Sequence, residues 1–289
     1  MIKDFHMHSL YSDDGEYSPK ELCQMAKDNG ISQIALTDHD SVHGVSEMIE
    51  EGTKLGLKVI PGIEVDCSFE GTNFHLLVYH MDYRDPRYED IKQFYLKQNQ
   101  EIAMKQVELL ESYLHIHIDR DALKSIEKNG VLVPEDIGEL LLELPEFKDS
   151  EFLLPYRENG NRCDNPFLNI YLDFFSQGKP AYVSGEMLTV QSVLDIAKET
   201  HGVTVVAHPG LNFKGKDDIF LRLLDLGIQG IEVESNYHAL EQTKFYYDIA
   251  KARNLIMTSG SDFHGKNKPA IKMGTFGCEI EDFVNNLTE

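Results

Sequence analysis

The chain has 289 residues, 42% hydrophobic and 10% aromatic, with charge spread along its length and no low-complexity tract. That excludes disorder and allows one large α/β domain carrying a sizeable insertion. Asp and Glu total 49 against 27 Lys and Arg, a formal charge of −22, so a long polyanion is repelled unless metal ions or a local basic pocket reverse the field.

In chain order, "IKDF", "SPKELCQMAKDNG", "QIALTD", "HGVSEMIEEGTKLG" and "LKVIPGIEV" alternate strand and helix, which predicts a parallel sheet or barrel. Ser18 caps the first helix, Pro19 suits its first turn, Glu21 completes a capping box and Gly30 ends it. A fourth strand, "FHLLVYHM", precedes a long charged helix beginning at "DPRYEDIKQF". From residue 86 to 179 the pattern is helical, with an irregular polar piece "PYRENGNRCDN" and no clear strand, so this stretch reads as an inserted, substrate-capping subdomain. Alternation resumes through "TVQSVLDIAKETHG", "VTVVAHPG", "DDIFLRLLDLG", "GIEVES", "HALEQTKFYYDIAKARN" and "LIMTSGSDFHG". Counting gives about seven βα units, a distorted TIM-like barrel over 1–85 and 180–289 that is interrupted after its fourth strand.

Cys23, Cys67, Cys163 and Cys278 stand far apart with no C-x-x-C pair, so neither a zinc cage nor a disulfide framework is expected. The N-terminus lacks a signal-peptide pattern, and no apolar run reaches the ~20 residues of a membrane span. The expectation is a cytoplasmic protein without a membrane partner.

The chemistry-bearing residues fall at strand ends: His6 and His8, Asp38 and His39, Glu64, His208, Asp262 and His264. That is the edge where parallel α/β folds build active sites. A strand's period of two puts both imidazoles of "HMH" on one face, where they can chelate one ion. Imidazole plus carboxylate without thiolate suits Zn, Mn or Fe. His75 groups by alternation with Leu77 and Tyr79 and reads equally as a ligand or as a hydrogen-bonded barrel histidine. The second H-x-H, His115 and His117, lacks companion ligands, and His80, His201 and His238 read as structural or exposed.

The ordered series "HMH…SDDG", "TDHD", "PGIEV", "FHLLVY", "AHPG" and "SGSDFH" resembles the motifs of the PHP (polymerase and histidinol phosphatase) superfamily over residues 1–85 and 180–275. The resemblance implies a distorted (βα)7 barrel with three divalent ions, Mn, Fe or Zn, that cleaves phosphate esters. Carried over by motif, one ion is held by His6, His8, Glu64 and Asp262, a second by bridging Glu64 with His75 and His208, and a third by Asp13, His39 and His264. Within "SDDG", Asp13 aligns by its distance from His8 and Asp14 by its distance from Gly15; Asp13 is preferred. The attacking hydroxide is expected on ions held by Glu64, Asp262 and His8, because such ions lower the pKa of water.

The small stand-alone phosphoesterases of the superfamily are the nearest likeness. They suggest a small phosphorylated substrate, a nucleotide, with the 3′-phosphate of a nucleoside 3′,5′-bisphosphate as the bond cleaved. Alternatives are histidinol-phosphate phosphatase, a 5′-to-3′ exonuclease on short RNA, a non-catalytic metal-binding module and, below these, metal-assisted C–N hydrolysis. Arg157, Arg162 and Asn236 are candidates for substrate contact, Tyr171 and Phe175 for base stacking, and His43 for protonating the leaving group.

Overall fold

A computed structural model describes residues 2–128, 130–281 and 283–287. The chain divides into two compact units, Met1–Lys92 with Met187–Glu289, and Gln93–Glu186.

The first unit is built on β1 (Ile2–Asp4), α1 (Pro19–Asp28), β2 (Ile31–Leu36), α2 (Val45–Leu55), β3 (Lys58–Phe69) and β4 (Thr72–Tyr79). The start of α1 follows from its sequence: Ser18 Oγ accepts from Glu21 N, and the Glu21 carboxylate accepts from Ser18 N. After α3 (Pro86–Leu114), α4 (Arg120–Ser125), α5 (Pro134–Glu143) and α6 (Pro166–Ile170), the chain forms β5 (Leu188–Thr189), α7 (Val190–Glu199) and β6 (Val203–Val206). It ends through α8 (Pro209–Asn212), α9 (Asp217–Leu224), β7 (Gly230–Ser235), α10 (Leu240–Arg253) and β8 (Ile256–Gly260).

The sheet runs β1-β2-β3-β4-β6-β7-β8, with β5 paired to β3 off this path. It nearly closes, because the extension of β1 lies along that of β8: Phe5 N donates to Ser259 O and Asp262 N to His6 O, at 3.1 and 2.8 Å. A TIM-like barrel of seven strands results, with one departure from all-parallel order. β4 is antiparallel to both β3 and β6, since no helix separates β3 from β4. A two-residue turn joins them, with Glu70 at φ 46° and Gly71 at φ 74°, the twist that a tight hairpin needs.

Inside the barrel Phe5, Ala35, Ile60, Leu77, Tyr79, Val205 and Ala207 form a buried cluster, which Leu287 joins. The helical unit has a core of its own, centred on Val107, Leu110, Ile118, Ile137, Leu141, Leu153 and Ile170.

Candidate metal centre

His6 and His8 follow β1 in extended backbone, their ring centroids 5.2 Å apart on one side of the chain. His6 Nε2 lies 2.9 Å from Glu64 Oε2 and 3.3 Å from Asp262 Oδ1, and His8 Nε2 lies 3.1 and 3.0 Å from the same two oxygens. The second oxygen of Glu64, Oε1, faces His75 Nδ1 at 2.9 Å and His208 Nε2 at 3.1 Å. His75 reaches this face because it stands opposite Asp66 in the antiparallel register of β3 and β4. His264 Nε2 is 3.0 Å from Asp14 Oδ2, and His39 Nε2 is 3.9 Å from that oxygen and 3.5 Å from Glu64 Oε2.

Three groups thus offer ligand atoms within 4.8 Å of one another: His6, His8, Glu64 and Asp262; His8, Asp14, His39 and His264; and His39, Glu64 and His75. The structure differs from the sequence expectation at one acid. Asp14 faces the cluster, whereas Asp13 Oδ1 lies 3.3 Å from Lys92 Nζ on α3. The cause is local: a Cβ at Gly15 would come within 1.9 Å of the Ser9 carbonyl oxygen, so the loop doubles back there and fixes the residue beside the glycine.

These residues fit a cation. His8 Nε2, Asp262 Oδ1 and His264 Nε2 are buried yet make no hydrogen bond, and a buried polar atom left so is costly unless an ion takes its lone pair. The opposite ring nitrogens are held from outside. His6 Nδ1 meets Glu232 Oε1 at 3.0 Å, His208 Nδ1 meets Asn212 Oδ1 at 2.8 Å, and His264 Nδ1 meets Asp262 O at 2.9 Å. With Nδ1 donating, Nε2 is the free base that faces inward. Asp262 and His208 have φ of 57° and 23°, a left-handed strain that concentrates at functional sites.

Charge is redistributed accordingly. Burial, and then His264 alongside, pushes the His8 imidazole down to about 4, so it is neutral and able to ligate. Burial opposes ionisation of Glu64, but His6, His39 and His75 hold it well below the usual carboxylate range. Asp262 is held low against burial by Lys268, His264 and His6, and Asp14 by His264 and His39. Asp38 stays outside the cluster. Its carboxylate accepts from Ser9 N and Oγ at 2.6 and 2.7 Å, and burial raises it to about 7.

The expected substrate contacts are engaged elsewhere. Arg162 is paired with Asp173, Arg157 donates to Leu142 O and Phe147 O, and Asn236 donates to Ser261 O and Thr275 O. Phe175 is in the core of the helical unit, the exposed His117 meets the half-buried Glu111, and His43 meets Glu89 at 2.7 Å. The sequence reading missed Asp66, Glu232, Tyr237 and Lys268. Asp66 stands two residues beyond Glu64 on its strand, so the period of two held that signal. Lys268 carried none.

Comparison with known proteins gives a consistent picture. Residues 4–131 match the PHP domain family. The chain is 26% identical to a phosphoribosyl 1,2-cyclic phosphate 1,2-diphosphodiesterase of Eggerthella lenta, over 92% of this chain and 95% of the other. It is also 26% identical to a 3′,5′-nucleoside bisphosphate phosphatase of Chromobacterium violaceum (94% and 90%) and 27% identical to a 5′-3′ exoribonuclease of Haemophilus influenzae (90% and 89%). The structure of a Bifidobacterium adolescentis protein assigned as a metal-dependent phosphoesterase has the same fold, with a TM-score of 0.76 at 24% identity, covering 94% of this chain and 90% of that one. Residues 4–131 thus carry the match to the PHP domain, and the relatives that align along the chain are named as a diphosphodiesterase, a phosphatase and an exoribonuclease, all phosphoester hydrolases, which makes this chain a hydrolase.

Proposed function

We propose that the chain removes the 3′-phosphate of a nucleoside 3′,5′-bisphosphate at a site for three divalent ions, Mn, Fe or Zn. The observation that carries this reading is the buried, unbonded set His8 Nε2, Asp262 Oδ1 and His264 Nε2 within the converging ligand groups. The bisphosphate phosphatase that aligns over 94% of the chain supports the choice of substrate. One ion takes His6, His8, Glu64 and Asp262, a second takes Glu64, His75 and His208, and the third takes Asp14, His39 and His264, with Asp14 in the place expected of Asp13.

When bound, such ions lower the pKa of water and draw charge from phosphoryl oxygens. The chain's own residues prepare the site. Glu64 turns its two oxygens to two ligand sets and keeps them in register. Glu232 and Asn212 fix the ring orientations of His6 and His208. His6, Glu64 and Asp262 form a dry floor at 0, 0 and 1% side-chain exposure, while Asp14, His39 and His75 form a rim at 31, 20 and 30%. A small substrate suits a chain of charge −22 better than long nucleic acid does. The helical unit is assigned to substrate selection because it interrupts the barrel between β4 and β5 with a core of its own. Free thiols at all four cysteines agree with a cytoplasmic location.

The test is phosphate release by Mn-loaded protein from adenosine 3′,5′-bisphosphate, 5′-AMP and histidinol phosphate, alongside degradation of a short 5′-phosphorylated RNA. The bisphosphate is expected to be preferred, and Asp262→Asn and His8→Ala to lose about a hundredfold or more in kcat/KM. Turnover confined to the RNA or to histidinol phosphate would replace the nucleotidase assignment, and no turnover at all would overturn it.

A further inference from the structure

Asp262 uses its two oxygens differently. Oδ1 lies against His6 and His8, whereas Oδ2 accepts from Lys268 Nζ at 2.6 Å and from the Tyr237 hydroxyl at 2.5 Å. Lys268 also stands over the Tyr237 ring, 5.6 Å from its centroid, and that ring packs edge-on against His208. The ammonium is therefore clamped from two sides, with little side-chain freedom left to lose when it binds something further. It is also reachable: the Lys268 side chain is 33% exposed, against 1% for Asp262. Of its three donors, one is on Asp262 and the Tyr237 hydroxyl lies alongside, which leaves the ammonium a donor for a further acceptor.

The charge balance gives this lysine a purpose. A cation on Asp262 Oδ2 is well placed while the cluster holds only carboxylates and imidazoles. Once divalent ions take the Oδ1 side, the same ammonium adds to an excess of positive charge, which favours one more anion at the rim. Resting on the phosphoesterase reading above, we infer that Lys268 is a substrate-binding residue whose ammonium donates to a non-bridging oxygen of the substrate's phosphoryl group, with Tyr237 as the positioning residue that holds it there.

The probe is inorganic phosphate, titrated calorimetrically into Mn-loaded wild type, Lys268→Met, Lys268→Arg and Tyr237→Phe, with Mn content measured on the same samples. Lys268→Met is expected to keep its Mn and weaken phosphate binding about tenfold to a hundredfold, the worth of a charge-assisted hydrogen bond. Lys268→Arg should recover most of that loss, and Tyr237→Phe should cause a smaller one. Phosphate bound equally by wild type and Lys268→Met would overturn the assignment. So would a wild type that binds no phosphate, or a loss that tracks Mn content and is not rescued by arginine. The two readings fail separately: phosphate binding that depends on Lys268 in a protein that hydrolyses no ester would sink the phosphoesterase reading and leave the anion site standing.

Discussion

Asp14 and Asp13 are adjacent, chemically identical and differently employed. Asp14 is placed by Gly15, whose approach to the Ser9 carbonyl leaves no room for a side chain, and it takes a 2.8 Å hydrogen bond from Ser12 Oγ as well as facing His264. Asp13 turns toward Lys92 instead. Asp14→Asn is therefore expected to lower turnover about a hundredfold and reduce bound Mn, whereas Asp13→Asn costs less than about threefold; kcat and metal content of the two variants decide it. Sequence could not make this distinction, because strand periodicity stops at His8 and the loop beyond it is governed by one close backbone contact. The paired histidines were legible for the opposite reason: two residues apart on an extended chain, they must share a face.

One element, β7, shows how a local irregularity serves the site. Its pairing with β8 slips between Glu232, opposite Thr258, and Glu234, opposite Ser259, leaving one extra residue on β7. Glu232 bonds His6, while Glu234 accepts from Ile280 N beside Glu279. Plain alternation would have put both carboxylates on one side, so the bulge was not legible in "GIEVES". The strand itself and its neighbours were, since apolar runs bounded by capped helices specify them. The reversed β4 hides in the same way behind a two-residue turn. Burial, then Glu279 nearby, raises Glu234 to about 7, against the hydrogen bond from Ile280. Its folded pKa exceeds its unfolded one, so its contribution is complete below the unfolded value and is lost as pH rises through about 7. Glu234→Gln should accordingly be the more stable protein at pH 8, by up to about 3 kcal/mol, with the gap closing toward pH 4; urea melts at the two pH values measure it.

For the whole molecule, two units with separate cores predict separable responses to metal. The ligand groups belong to the barrel, which carries unbonded buried atoms until an ion binds. Mn at a hundredfold excess over its Kd should stabilise the barrel by about 2.7 kcal/mol per site. Calorimetry is expected to show one transition raised by several degrees and reversed by chelator, and no such rise in His8→Ala. A single transition unmoved by Mn would remove the basis for a metal centre. Fold class and the inserted helical stretch were legible at this scale because they rest on long periodic segments, while Arg157 and Arg162 sit in an irregular stretch and find Leu142, Phe147 and Asp173 outside it, where no period links them.

The seam where the extension of β1 meets that of β8 has a consequence for how the protein is made. His6 and His8 leave the ribosome well before Asp262, whose Oδ1 lies against their Nε2 atoms and whose N bonds His6 O, more than two hundred residues later. Until then the nascent chain presents imidazoles and Glu64 without their closing carboxylate. A ligand set that includes Asp262 therefore cannot be complete before β8 has been translated, so closing the seam and completing the set are one event.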